Sequence, residues 1–151
     1  MNTAVKEPTG LIAVDKMGGT VLFLDPKTLT TEVVLDRFPP KPHELLVIRE
    51  TSRAYVPIFG DGIHGNNPNP GRLIAVIDLA KRKHVADIDL GELTAPHTLR
   101  LGPDDLLYCN CENSCVVAIV TRRSNEVVGT IGTGSTNCHR LEISPDGQRI
   151  Y

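Results

Sequence analysis

The chain has 151 residues, of which 23% are charged and 40% hydrophobic, with a net charge of −2 at pH 7. This length predicts one domain, and the near balance of charges gives no basis for binding nucleic acid or an anionic membrane through a basic face. No apolar run approaches the roughly 20 residues needed to span a bilayer. Because MNTAVKEPTG lacks the apolar core of a secretory signal, we expect a cytoplasmic protein, or a periplasmic or secreted one if residues precede Met1.

Short apolar segments separated by turn residues follow a predicted tail over residues 1–10. The first three are LIAVDKM, TVLFLDP and TEVVLDR. Four strands are predicted in the next unit, and four more in the unit after it. Their second strands are RAYVPIF and LLYCNCE, their third strands are LIAVIDL and CVVAIVT, and their fourth strands are HVADIDL and EVVGTIG. Alternation of apolar and polar residues over four to eight positions is typical of a strand with one buried face.

Three similar stretches reveal a repeat. They are PHELLVIRETSRAY, PHTLRLGPDDLLY and CHRLEISPDGQRIY, aligned on His43, His97 and His139. The last two histidines are 42 positions apart and the first two are 54 apart; the excess lies in GDGIHGNNPNPG, residues 60–71, which is predicted to be a loop between a second and a third strand. Four antiparallel strands in about 40–45 residues is the size of a β-propeller blade. A β-sandwich is the alternative, but it does not require a histidine at the same position of each repeat.

The pattern PH-x-L-x-L-x-P-D, followed by LYCNCE, VIDL and VVGTIGTG, resembles the YVTN-type β-propeller family over about residues 11–151. The resemblance implies an all-β fold: a partial β-propeller of four-stranded antiparallel blades, with about three blade equivalents of a ring that usually has seven. The blade units would be about 11–42, 43–96 and 97–138, with the start of another at 139–151. The family includes lactonase-like propellers and the haem-binding propeller of cytochrome-type nitrite reductases.

Three blades are too few to close a ring. Open sheet edges offer unpaired backbone groups to other chains. We therefore expect either a fragment of a longer protein or self-association through the open blade edges.

The repeated histidines mark the candidate site. In a propeller, the connection between blades and the loop between second and third strands open on the same face, so His64 of the insertion should join the other three at the channel mouth. The predicted ligand-binding residues are His43, His97, His139, His64, Asp61, Asn66 and Glu112. The alternatives are that these histidines only bond the neighbouring blade and that the insertion is merely tolerated. Imidazole can ligate metals, but the sequence shows no supporting partners. We therefore predict no metal site, and no particular cofactor is indicated.

The four cysteines do not predict a zinc site. Cys109 and Cys111 form a C-x-C pair rather than the C-x₂₋₄-C pairs typical of zinc. They should share one strand face and serve as small buried hydrophobic residues. A Cys111–Cys115 disulfide is the alternative in an oxidising compartment.

No nucleophile elbow, phosphate-binding loop or dinucleotide fingerprint is present. The sequence therefore favours a non-catalytic propeller that binds a small ligand or a protein partner at the channel mouth. One alternative is a lactonase-like hydrolase, with His97 or a neighbour as general base assisted by a carboxylate. The other is a redox propeller linked to haem or quinone.

Overall fold

The computed structural model describes residues 10–39, 41–136 and 138–151, so nearly all of the predicted tail lies outside the described residues. Three antiparallel sheets follow one another along the chain. The first contains β1 (Leu11–Asp15), β2 (Thr20–Leu24) and β3 (Thr31–Leu35). The second contains β4 (Leu46–Ile48), β5 (Arg53–Gly60), β6 (Pro70–Asp78) and β7 (Lys83–Asp89). The third contains β8 (Pro96–Leu101), β9 (Leu106–Cys111), β10 (Val116–Thr121) and β11 (Glu126–Gly132).

Each sheet is a meander in which every strand pairs with the one before it in sequence. The prediction of an all-β fold with four-stranded antiparallel units is confirmed. Over the described residues the helical content is one short 3₁₀ turn, Arg49–Thr51. None of the helical structure described is long and apolar enough to cross a membrane.

The second sheet is buried on both faces. On β5, Ala54, Val56 and Ile58 pack toward the first sheet in a cluster that includes Val21 and Phe23. The alternate face forms a second cluster with the third sheet, whose buried members are Ile48, Tyr55, Ile74, Val76, Ile88, Leu90, Leu99, Leu107, Cys109, Cys111, Ala118 and Val120. Because successive side chains of a strand point to opposite faces, the alternation in β5 fixes which sheet each residue meets.

The insertion between β5 and β6 is more regular than predicted. The strands extend into it, so that Gly60 pairs with Pro70. At its tip, Ile63 and Asn66 exchange two backbone hydrogen bonds of 3.0 and 2.9 Å. The prediction that residues 60–71 are all loop was wrong at both ends, because the hydrogen-bond ladder continues through glycine and proline at the end of the hairpin.

The final described residues form a hairpin. Glu142 and Tyr151 exchange two backbone hydrogen bonds of 3.1 and 2.9 Å. The turn SPDG closes between them, with the Gly147 amide donating to the Ser144 carbonyl at 2.8 Å and Gly147 at φ +70°. In the related GPDD turn, Asp105 adopts φ +66°, the left-handed conformation that aspartate tolerates better than most residues. The two turns thus share a backbone shape despite the missing glycine.

Candidate functional site

Four imidazole rings from separate parts of the chain meet at one end of the sheets. The antiparallel order places the starts of first strands, the β5–β6 hairpin and the ends of fourth strands at that end. Ring centroids are 3.9 Å apart for His43 and His97, 4.3 Å for His97 and His139, and 4.2 Å for His139 and His64. We call these four residues the histidine cluster. All four histidines singled out by the repeat and the insertion are therefore neighbours.

Backbone pairing fixes His43, whereas His97 lies where the register of β8 against β9 shifts, between Pro96 and Leu99. The His43 amide donates to the Pro57 carbonyl at 3.0 Å, and the Phe59 amide donates to the Lys41 carbonyl at 3.1 Å. The segment before β4 is thereby held along the end of β5. His97 is the second residue of β8 and only 1% exposed.

His139 is positioned by polar side chains of the third sheet. Thr98 donates through its hydroxyl to the His139 carbonyl at 3.1 Å, and the Asn110 amide donates to the Cys138 carbonyl at 2.7 Å. Thr98 and Asn110 are both buried. These two bonds tie the segment after β11 to β8 and β9, which explains why His139 reaches the ring of His97.

The ring of Phe59 packs against two of the histidines. It is fully buried, with its ring centroid 5.2 Å from that of His43 and 5.1 Å from that of His97. The contact with His97 is edge-on, a favoured geometry for aromatic pairs. The ammonium group of Lys16 also lies over the Phe59 ring, 4.7 Å from its centroid, which is within cation–π range. Lys16 belongs to the turn between β1 and β2, so the first sheet also contributes to the site.

Burial keeps two imidazoles neutral. It is the main cause that lowers the pKa of His43 to about 4 and that of His97 to about 3, because a charged ring loses its hydration there. The charge of Lys16 and the neighbouring histidines push both pKa values in the same direction. The pKa of Lys16 is itself lowered, first by burial and then by Lys41. At neutral pH His43 and His97 therefore present uncharged rings whose nitrogens can accept as well as donate.

Two ring nitrogens of this pair have no hydrogen-bond partner among the described residues. They are His43 Nδ1 and His97 Nε2, and both are buried. His97 Nδ1 lies 3.4 Å from the Thr98 hydroxyl and 3.6 Å from the Glu44 carboxylate. The alternative of a purely structural role, in which each ring bonds the adjacent blade, does not account for these two nitrogens.

A carboxylate orients the fourth histidine. Glu112 is 2% exposed; its Oε2 lies 2.8 Å from His64 Nδ1, and its Oε1 accepts the Gly65 amide at 2.7 Å. The His64 side chain is 41% exposed. Glu112 follows β9 directly, so the third sheet holds the hairpin tip of the second sheet in place.

The remaining predicted site residues lie around the hairpin. Asn66 lines an open cleft of about 370 Å³ together with Glu112, Asn113 and Thr136. Asp61 is exposed and accepts a hydrogen bond of 2.8 Å from Asn69, so its carboxylate holds the turn itself. The structure brings Asn66 and Glu112 to the edge of the cleft and gives Asp61 a structural partner.

Sequence reasoning missed Glu44 and Lys16. Glu44 follows His43 directly and lies 3.6 Å from His97 and 3.8 Å from Arg140. One ligating atom from each of His43, Glu44 and His97 lie within 4.8 Å of one another. The adjacency of Glu44 to a repeated histidine was a usable signal. For Lys16 the sequence carried none, since its role depends on the packing of two sheets.

The cysteines lie beside the site without forming disulfides. All four are free, and Cys109 and Cys111 are buried in the core between the second and third sheets. Burial is the first cause that raises the pKa of the Cys109 thiol well above its usual value. A buried protonated thiol is inert, so Cys109 acts as a small hydrophobic group, and Cys111 is buried in the same cluster.

Comparison with known proteins shows the fold. Kuenenia stuttgartiensis hydrazine synthase matches with a TM-score of 0.75 and 20% sequence identity, over 94% of this chain and 38% of that chain. The fold is that of part of a β-propeller. The chain thus spans little more than a third of that propeller-containing protein, and likeness at this identity reports architecture alone. Neither a family profile nor a curated protein matches the sequence, so the YVTN-type resemblance stays a prediction.

Proposed function

We propose that this propeller segment is a binding module that holds a small anion with a carboxylate or phosphate group at the histidine cluster. The observation that carries the proposal is the chain of four neighbouring, mutually tilted rings, built from two sheets and the segment after β11, with two buried nitrogens that have no partner among the described residues. Such nitrogens cost free energy when nothing bonds to them, on the order of 1–3 kcal/mol each. A ligand with polar atoms would recover part of that cost.

The surrounding charges favour an anion. Lys16 and Arg140 act electrostatically on the cluster, and Lys41 acts on Lys16. Of the two nearby carboxylates, Glu112 is already bonded to His64 and Gly65. Convergent cations next to neutral donors suit a carboxylate or phosphate group.

Histidine side-chain NMR tests this proposal. We expect sodium succinate or phosphate to shift the ring signals of His64 and His139 in a saturable manner, while His84 on β7 serves as an internal control. Sodium chloride at equal ionic strength should cause no comparable change. Ring signals that stay in place, or that move equally at His84, would contradict binding at the cluster.

A matched pair of lysine variants sharpens the test. Lys16→Gln should weaken binding about two- to fivefold, the effect of removing one partly screened charge. Lys83→Gln, which removes an exposed lysine at the start of β7, should leave the affinity unchanged. Equal affinities for both variants would remove Lys16 from the site.

A hydrolase is the second candidate, and the pairing of His64 with Glu112 favours it. When the Nδ1–H group of His64 donates to the buried carboxylate at 2.8 Å, its Nε2, which has no hydrogen-bond partner in the part of the chain that the structure describes, can take a proton from water, as in other carboxylate-oriented bases. The predicted general base was His97 or a neighbour. The low pKa of His97, about 3, makes it a weak base, so the carboxylate-assisted neighbour His64 is the better choice.

Lactone hydrolysis tests the second candidate. If His64 is the base, His64→Gln and Glu112→Gln should each lower hydrolysis of γ- and δ-lactones by about 10²-fold or more. His84→Gln should retain the wild-type rate, and circular dichroism should show that all variants are folded. No hydrolysis by the wild-type protein, or full activity of His64→Gln, would contradict the hydrolase with His64 as base. Anion binding would then be the remaining proposed function.

A further inference from the structure

We propose that His43, Glu44 and His97 form a binding site for one divalent transition-metal ion of the zinc type. The inference rests on the proposed function, since the metal would hold the anionic ligand at the histidine cluster. It departs from the sequence prediction, which expected no metal there. The site combines the segment before β4 with the start of β8, so it bridges the second and third sheets.

The distances place three suitable donors around one point. The ligating atoms of His43, Glu44 and His97 all lie within 4.8 Å of one another. Tetrahedral ligands at zinc–nitrogen distances lie about 3.3 Å apart, so a pair of donors at the full 4.8 Å would need to close by about 1.5 Å. Glu44 can supply its share of that movement because its side chain is 23% exposed and its ion-pair contacts among the described residues are long, 3.6 Å to His97 and 3.8 Å to Arg140.

The buried nitrogens supply an independent observation. His97 is 99% buried, since its exposure is 1%, and its Nε2 has no partner among the described residues; the same holds for His43 Nδ1. Buried polar atoms are nearly always bonded in folded proteins. A ring nitrogen left over in each of two adjacent imidazoles is a donor that a metal ion would engage. Glu44 lies 3.6 Å from the other nitrogen of His97, Nδ1, and is close enough to complete the donor set.

The donor set indicates which ions would bind. Two imidazoles and one carboxylate suit zinc and related first-row divalent ions. Calcium and magnesium prefer all-oxygen sites. Three protein ligands leave a coordination position open. With Lys16 and Arg140 close to the cluster, an anion in that position would be bonded to the metal and attracted by the flanking cations.

Metal titration tests the site. The 151-residue chain, stripped with EDTA and desalted, should take up one equivalent of Zn²⁺ by isothermal titration calorimetry. Excess Mg²⁺ or Ca²⁺ should not displace it. With Co²⁺, visible absorption bands of a low-coordinate site should appear. Glu44→Gln and His43→Gln should weaken Zn²⁺ binding roughly tenfold or more, whereas His84→Gln should bind as the wild type does.

The outcomes separate this inference from the proposed function. Glu44→Gln retains the shape of the side chain, and circular dichroism confirms that each variant is folded before it is titrated. The inference is overturned if the wild type takes up no Zn²⁺, or if Glu44→Gln and His43→Gln bind it with wild-type affinity. Succinate binding to the EDTA-treated protein without Zn²⁺ uptake would remove the metal site and leave the anion site. Zn²⁺ uptake that needs Glu44, without succinate binding to either the metal-free or the Zn²⁺-loaded protein, would remove the anion site and leave the metal site.

Discussion

Acidification of the metal-free protein from pH 7 to pH 4 should lower its free energy of unfolding by on the order of 3 kcal/mol. The folded-state pKa values of His43, about 4, and His97, about 3, lie below the ordinary value of 6.5. The unfolded chain therefore binds more protons once the pH falls below 6.5. The stability these neutral rings contribute is fully present above that pH, and it is lost as the pH falls toward 4 and 3.

The size of the effect follows from linkage. Each histidine can contribute up to about 1.4 kcal/mol per pH unit across its window, and the share of half-buried His43 is reduced by solvent screening. The charged and titratable groups around the pair are Lys16, Lys41, Glu44, His64, Glu112, His139 and Arg140. Carboxylates whose pKa is lowered, such as those of Asp78 and Glu142, lose their contribution mainly below about pH 4.

Urea denaturation followed by far-ultraviolet circular dichroism, in EDTA at several pH values, measures this dependence. His43→Gln should show a shallower loss of stability between pH 6.5 and 4, and His84→Gln should keep the wild-type slope. An unfolding free energy that is flat over this interval would show that the two buried rings do not resist protonation. A His43→Gln slope equal to that of the wild type would remove His43 as a cause.

Replacement of Gly71 by alanine should destabilise the protein by about 2–4 kcal/mol. A methyl group at this position would overlap the carbonyl oxygen of Ile58 on the paired strand β5. Neither backbone can move freely, because the Gly71 carbonyl also accepts the Ala95 amide at 2.8 Å, just before β8. Glycine is required where two backbones approach this closely.

Gly132→Ala is the matched control. It lies in β11, where an added methyl group would meet nothing within 4 Å, so the change should stay within about 0.5 kcal/mol. Thermal and urea unfolding of both variants measure the difference. A Gly71→Ala protein as stable as Gly132→Ala would show that the β5–β6 approach is looser than the structure indicates.

Most of the fold could be predicted because it depends on local patterns. Alternating apolar residues marked the strands, and the recurring histidine phase placed the units one after another. The extension of β5 to Gly60 was not predicted, since glycine and proline are poor local signals for a ladder that long-range pairing sustains.

The site was predictable only in part for the same reason. The four histidines were found because a repeat puts equivalent residues at equivalent places. The partners of the site come from contacts between sheets: Lys16 on Phe59, Glu44 beside His97, and Thr98 and Asn110 holding the chain at His139. Such contacts depend on three-dimensional packing and leave no period in the sequence.

The chain of rings joins residues that are far apart in sequence, since His43 and His139 are 96 positions apart. Closing such long loops costs entropy that only the finished packing recovers. During synthesis, no part of the chain short of His139 can assemble all four rings. A compact intermediate with its strands formed but its sheets not yet stacked would also lack the cluster. Binding at this place, as proposed, would therefore require that the sheets have already packed together.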